Sequence, residues 1–133
     1  MYWVTHAAVG AVAGSYITAP LAGLAAGGAS HAVLDMIPHH DYKSSAAGIV
    51  DFLLGAVVLA ATAGDGPAWG RTWAVLGAIV PDFEVALSHF GVIDSEGLVF
   101  PTHSGLLPHA NAPLPWGGLT QLGVLALAYL LLR

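Results

Sequence analysis

The sequence contains no cysteine and very few charged residues, and both shortages limit what the protein can do. Without cysteine there are no disulfide bonds and no thiolate ligands for a metal. Charged residues make up 8% of the 133 residues, whereas soluble domains carry about 25%. Three basic residues, Lys43, Arg71 and Arg133, cannot form the basic surface of a nucleic-acid-binding protein. We therefore expect no nucleic-acid partner.

The residues that are present are mainly apolar, at 56% of the chain with a mean hydropathy of +0.74. No charged side chain precedes Asp35, and none occurs from Gly97 to Leu132. Such a chain has too few polar groups to cover its surface in water. We expect an integral protein of the cell membrane or an inner membrane, with membrane lipid around it.

The hydrophobic segments predict a single all-α domain over residues 1–133, an integral membrane bundle of about five helices. Pro20 divides the first two helices, because a proline is well placed at the start of a helix, and Pro81 should interrupt the fourth. Small-residue pairs four apart, such as Gly10 and Gly14 or Gly23 and Gly27, predict close packing of the first two helices. The predicted segments are two helices within 3–37, then 46–63, 70–90 and 115–132, with a re-entrant or interfacial loop at 91–111.

Ionisable side chains within these segments mark the candidate site, since they are costly in a membrane. At about 1.5 Å rise per residue, five stretches of sequence place a histidine or carboxylate at one depth. Unrelated buried polar groups would have no reason to share a level. The residues at this level are His6, His31, Asp35, Asp51, Asp82 and Glu84, and the loop that carries His103 begins just above it.

Histidine and carboxylate ligands without thiols are typical of zinc or another divalent first-row metal. His31 and Asp35 lie four residues apart on one helix face, and a cation would offset the repulsion among buried carboxylates. Simpler roles are open for the other candidates. Asp51 is either a site residue or a hydrogen-bonded packing group, His89 a helix-packing partner, and His109 a surface residue. His39 and His40 are placed at the membrane interface, where one of them is available as a ligand.

Four short motifs resemble those of the YdjM-like membrane-bound metal-dependent hydrolases. They are Thr5-His6, Ser30-His31-Ala32-Val33-Leu34-Asp35, Pro81-Asp82-Phe83-Glu84 and Thr102-His103-Ser104. The Ser-His-x-x-x-Asp motif comes earlier in the chain than is usual in that family, and Glu84 replaces an aspartate. The resemblance implies a hydrolase with metal ligands at His6, His31, Asp35, Asp82, Glu84 and His103. The donor chemistry predicts one or two divalent ions there, zinc first and manganese or iron as alternatives.

These observations predict a metal-dependent hydrolase of a phosphoester such as a lipid head group. Asp82 and Glu84 are the candidate catalytic residues, with Glu84 a ligand or the base that accepts a proton from metal-bound water. The alternative is a non-catalytic small subunit of a larger membrane complex, which would have membrane-protein partners or form a homo-oligomer. A proton or ion pathway is the third reading, ranked last because polar groups do not cross the full thickness.

Overall fold

The protein is all-helical in a computed structural model that describes residues 1–64 and 68–133. Within these residues six α-helices and one 3-10 turn form, and no strand is present. The breaks at Pro20 and Pro81 are confirmed, so the predicted fourth helix is two helices that meet at Val80. The turn predicted before the fourth helix falls partly on residues 65–67, outside the described residues. The helices are α1 (Trp3–Ala13), α2 (Pro20–Asp35), α3 (Ser45–Thr62), α4 (Trp69–Ile79), α5 (Pro81–His89) and α6 (Trp116–Leu131), with the 3-10 turn at Ser95–Gly97.

Helix α4 is the central helix, and the glycines of α1 and α2 pack against it. A Cβ atom added to Gly10 would lie 2.7 Å from the Ala78 side chain, and one added to Gly27 would lie 1.9 Å from the Ala74 carbonyl oxygen. The predicted close approach therefore occurs, but with a different partner: both glycine pairs face α4 rather than each other. This contact fixes the C-terminal end of α4, and with it the start of α5, beside α2.

Gly27→Ala should destabilise the fold, because the new methyl group would overlap the Ala74 carbonyl of α4. Overpacking of this kind costs about 1–3 kcal/mol. Gly28→Ala is the matched control, since its Cβ would meet only an ordinary contact 3.9 Å from the Gly77 carbonyl. Removing a helical glycine there should be neutral or stabilise by about 0.5–1 kcal/mol. Thermal unfolding in detergent measures both; equal midpoints would contradict the close α2–α4 contact.

Asp51 binds the beginning of α1 rather than joining the other carboxylates. Its side-chain oxygens accept hydrogen bonds from the backbone N–H groups of Trp3 at 2.6 Å and Val4 at 3.1 Å, and from the Tyr42 hydroxyl at 3.1 Å. Helix N-termini leave such N–H groups unpaired, and a carboxylate satisfies them. Of the two roles that the sequence leaves open, Asp51 has the packing role.

The segment between α5 and α6 folds back on the C-terminal end of α2. The N–H of Ala110 donates to the Asp35 carbonyl oxygen at 2.8 Å, and the N–H of His39 donates to the Ala110 carbonyl oxygen at 2.9 Å. His39 and Asn111 form an isolated parallel bridge at this point. The predicted loop thus packs on the bundle and brings Thr102 and His103 over the end of α2.

One described helix, α3, is long and apolar enough to cross a membrane, and a single helix of this kind is weak evidence for insertion. Its 18 residues span about 27 Å at 1.5 Å per residue. Helices α1 and α6 are apolar but shorter. The all-helical fold is confirmed, whereas the bundle of membrane spans stays a prediction.

Candidate metal centre

Five of the predicted residues converge where α1, α2 and α5 meet the returning loop. His6 comes from α1, His31 and Asp35 from the last two turns of α2, Asp82 from the first turn of α5, and His103 from the loop. His6, His31 and Asp35 have no solvent-exposed surface, and Asp82 is 7% exposed. The rings of His6 and His31 stack with their centroids 3.8 Å apart. Buried histidines and carboxylates in contact are the donor set of a metal centre.

Three ligand atoms form a nearly equilateral triangle with the edges that a tetrahedral metal requires. His31 Nε2 lies 3.3 Å from His103 Nε2 and 3.1 Å from Asp35 Oδ2, and His103 Nε2 lies 3.4 Å from Asp35 Oδ2. Zinc ligands at about 2.0–2.1 Å in a tetrahedron lie roughly 3.3 Å from one another. Asp82 Oδ1 completes the group at 3.8 Å from His31 Nε2 and 3.6 Å from His103 Nε2. His31, Asp35 and His103 can therefore hold a metal ion, and His6, His31 and Asp82 form an overlapping group whose ligand atoms also lie within 4.8 Å of one another.

Hydrogen bonds on the far side of two rings leave the facing nitrogens free to bind a metal. The Nδ1–H of His31 donates to the Ala78 carbonyl oxygen at 2.7 Å, in the last turn of α4, where carbonyls lose their helical partners. His103 Nδ1 lies 2.9 Å from Glu84 Oε1 and can donate to it. Metal-bound histidines usually have such a partner, which fixes the ring and raises its basicity.

Buried atoms without a partner lie next to this group. Neither nitrogen of His6 makes a hydrogen bond of acceptable geometry, and Asp82 Oδ2 also lacks a partner. His6 Nε2 is nevertheless only 3.2 Å from Asp35 Oδ1 and 3.9 Å from Asp82 Oδ2. Leaving such atoms buried and unpaired is costly, and a cation among these ligand atoms would bind His6 Nε2 and an Asp82 oxygen. The unpaired atoms thus fit a metal ion as the occupant.

Nearby carboxylates raise the pKa values of the two loop histidines, His103 and His109. Hydrogen bonds to Asp35 and Asp41 raise the pKa of His109 to about 9, and its partial burial opposes this shift. Burial would lower the pKa of His103, but hydrogen bonding to Asp35 and the charge of Asp82 outweigh it and raise that pKa. Burial would raise the pKa of Asp41, but its hydrogen bonds with His109 and His39 lower it below the usual range. The loop histidines therefore lie in a strongly negative environment.

The predicted residues separate into a convergent set and a supporting residue. Glu84 does not reach the described ligand groups. It accepts hydrogen bonds from the N–H groups of Val99 and Phe100, both at 2.9 Å, and contacts the outer nitrogen of His103. In this arrangement Glu84 orients His103 and the loop. The rise per residue predicts the level of Glu84 along its helix, but it does not predict which nitrogen of a neighbouring ring the carboxylate contacts.

Residues on irregular segments also lie beside the centre, and of these the sequence predicts a possible ligand only at His39 or His40. His39 has no exposed surface, although an interfacial position was expected for it. His109 is partly exposed, as expected for a surface residue, yet its Nδ1 lies 3.5 Å from Asp35 Oδ2. The amine of Met1 also lies 2.9 Å from Asp35 Oδ1. The signal in the sequence is the adjacent pair His39 and His40, one of which is available as a ligand.

A groove of about 430 Å³ runs between α3 and α5 to this centre. Its walls are mainly apolar, with Trp3, Phe52 and Phe90 among them. Its polar lining includes Asp82, His103, His109 and Asp41, and Lys43, one of three basic residues in the chain, is also on the wall. The groove can accept a molecule with an apolar part and a polar part.

Comparison with protein families, curated proteins and solved structures finds no match to this chain.

Proposed function

We propose that this chain is a membrane-embedded, metal-dependent hydrolase that acts on phosphoesters of membrane lipids. The observation that carries the proposal is the triangle of His31 Nε2, His103 Nε2 and Asp35 Oδ2 at the edge length of a tetrahedral metal site. Nitrogen and oxygen donors without thiols favour zinc, with manganese or iron as alternatives. A bound ion of this class lowers the pKa of water to near 7 and polarises a phosphoryl oxygen.

The residues around the centre suit hydrolysis of a phosphoester. Water oxygen bonds to phosphorus while the bond from phosphorus to the leaving alcohol oxygen breaks. Asp82 lines the groove, and whichever of its two oxygens does not bind the ion can accept the proton of the attacking water and return it to the leaving oxygen. Lys43 on the wall of the groove offers a positive charge to an anionic head group.

The exposed surface supports a position in the membrane. Large apolar side chains project outward from α3, among them Val50, Leu53 and Val57 at 56–63% exposure. A similar face covers α6, where Leu122 and Leu130 are 64% and 63% exposed. Apolar surface of this extent is unfavourable in water and is typical of contact with lipid or with another protein. The groove beside α3 would then open toward lipid acyl chains.

Turnover of a fluorescent phospholipid in vesicles tests the proposal, with a small water-soluble phosphodiester as the second substrate. We expect zinc- or manganese-loaded protein to hydrolyse the phospholipid. Asp82→Asn should lower kcat by about 10²–10⁴-fold, the usual contribution of a proton-transfer group. Asp94→Asn changes an exposed loop carboxylate in the same way and should have no effect.

The groove itself can be tested with Ala86→Trp, which places a large ring on its wall. This change should lower phospholipid turnover more than turnover of the small diester. No turnover of either substrate by fully metal-loaded protein would contradict the hydrolase. That result would favour the metal-binding subunit of a larger complex, whose partners would cover the apolar faces of α3 and α6.

A further inference from the structure

A second group of ligand atoms lies beside the first, outside the four motifs. His39 Nε2 is 3.0 Å from Asp41 Oδ1 and 3.1 Å from His109 Nε2. His109 Nε2 is 2.9 Å from Asp41 Oδ2. These separations approach the roughly 3.3 Å between neighbouring ligands of a tetrahedral zinc. Two imidazole nitrogens and a carboxylate, supplied by two distant segments, thus face one point.

His39 is oriented in the same way as His31. Its Nδ1–H donates to the Ile37 carbonyl oxygen at 2.8 Å, so the lone pair of Nε2 faces Asp41 and His109. The side chain has no exposed surface. A backbone acceptor behind a buried imidazole is the arrangement that holds metal-binding histidines. The orientation therefore suits a ligand rather than a solvated interfacial residue.

Asp35 connects the two groups. Its Oδ2 atom lies in the first triangle and is also 3.5 Å from His109 Nδ1. Asp35, His39 and His109 each offer a ligand atom within 4.8 Å of the others. Asp41 and His109 line the same groove as Asp82 and His103. Both groups therefore face one space, and Asp35 lies next to ligand atoms of each.

We propose that His39, Asp41 and His109 hold a second divalent ion, which shares Asp35 with the ion bound by His31 and His103. This deepens the proposed function, on which it rests for its catalytic meaning. Paired ions that share a carboxylate are typical of phosphoester hydrolysis, where they stabilise both the attacking and the leaving oxygen. The second ion would place the phosphate between the two groups at the end of the groove.

Metal content by elemental mass spectrometry tests the second ion, on full-length protein loaded with Zn²⁺ and desalted. The wild-type chain should hold two equivalents, and His109→Ala should hold one. His40→Ala is the matched control, because His40 follows His39 directly but contacts only the Ala112 carbonyl oxygen at 3.3 Å. It should keep both ions. One equivalent in the wild type, or unchanged content in His109→Ala, would overturn the proposal and leave these residues as an ion-pair network.

Electron paramagnetic resonance of Mn²⁺-loaded protein gives a readout that does not depend on activity. Two ions that share Asp35 should couple magnetically, so the wild-type signal should be broad and weak. His109→Ala should instead show the resolved hyperfine pattern of an isolated ion. That pattern in fully loaded wild type would contradict the shared carboxylate. If two magnetically coupled ions are present but no phosphoester is hydrolysed, only the proposed hydrolase activity is rejected. If the protein is fully active with a single bound ion, only the proposed second metal site is rejected.

Discussion

Asp35→Asn is expected to remove all tightly bound metal from the purified protein. Asp35 has no exposed surface, and its two oxygens face different partners. Oδ1 lies 3.2 Å from His6 Nε2, and Oδ2 lies 3.1 Å from His31 Nε2. Asparagine keeps the shape but removes the negative charge and replaces one ligand oxygen with an NH₂ group. Elemental analysis after desalting should show less than a tenth of the wild-type content.

The control for this change is Asp94→Asn, which removes the same charge from the exposed loop after α5. Its metal content should equal that of wild type. Circular dichroism should show that Asp35→Asn keeps its helices, because the amide can still accept the hydrogen bond of Thr102, 2.8 Å from Oδ2. Wild-type metal content in a folded Asp35→Asn protein would reject the centre as described.

Removal of metal by a chelator is expected to lower the thermal stability of the wild-type protein. Without a cation, the unpaired atoms of His6 and Asp82 remain buried beside Asp35. An ion at about 1,000 times its Kd stabilises the folded state by about 4 kcal/mol. For a chain of this size that corresponds to a shift of Tm on the order of 10 °C. Thermal unfolding with and without the chelator measures the shift.

Two further samples separate metal loss from other effects of the chelator. Added Zn²⁺ in excess should restore the original Tm. His31→Ala, which lacks one ligand, should unfold at nearly the same temperature with and without the chelator. A wild-type Tm that does not respond to the chelator, at a concentration shown to strip the metal, would mean that the centre does not depend on an ion for its stability.

The helices could be predicted from the sequence, but their packing could not. Pro20 and Pro81 act locally, because a proline lacks an N–H group and starts or ends a helix wherever it occurs. The partner of Gly27 depends on which backbone comes near it, and in a bundle several are available. The spacing of small residues predicts that another helix packs closely against this face, but it does not predict which helix that is. The structure shows that helix to be α4.

In the candidate site, too, some positions could be predicted from the sequence and others could not. Four of the converging residues lie on helices, where the rise per residue predicts a common level: His6, His31, Asp35 and Asp82. In the structure they lie together with His103 from the loop. His39 and His109 lie on irregular segments without such a measure. Their meeting depends on the bridge between His39 and Asn111, which joins residues 72 positions apart. No local pattern indicates a pairing of that range.

The break between α4 and α5 has a consequence for the chemistry of an imidazole several ångströms away. A helix that continued through Val80 and Pro81 would use the Ala78 carbonyl for the N–H four residues later. Because α4 ends at Ile79, that carbonyl accepts the Nδ1 proton of His31 instead. The end of one helix thereby selects the tautomer of a side chain on another. The C-terminal end of α4 thus determines which nitrogen of His31 faces the other ligand atoms.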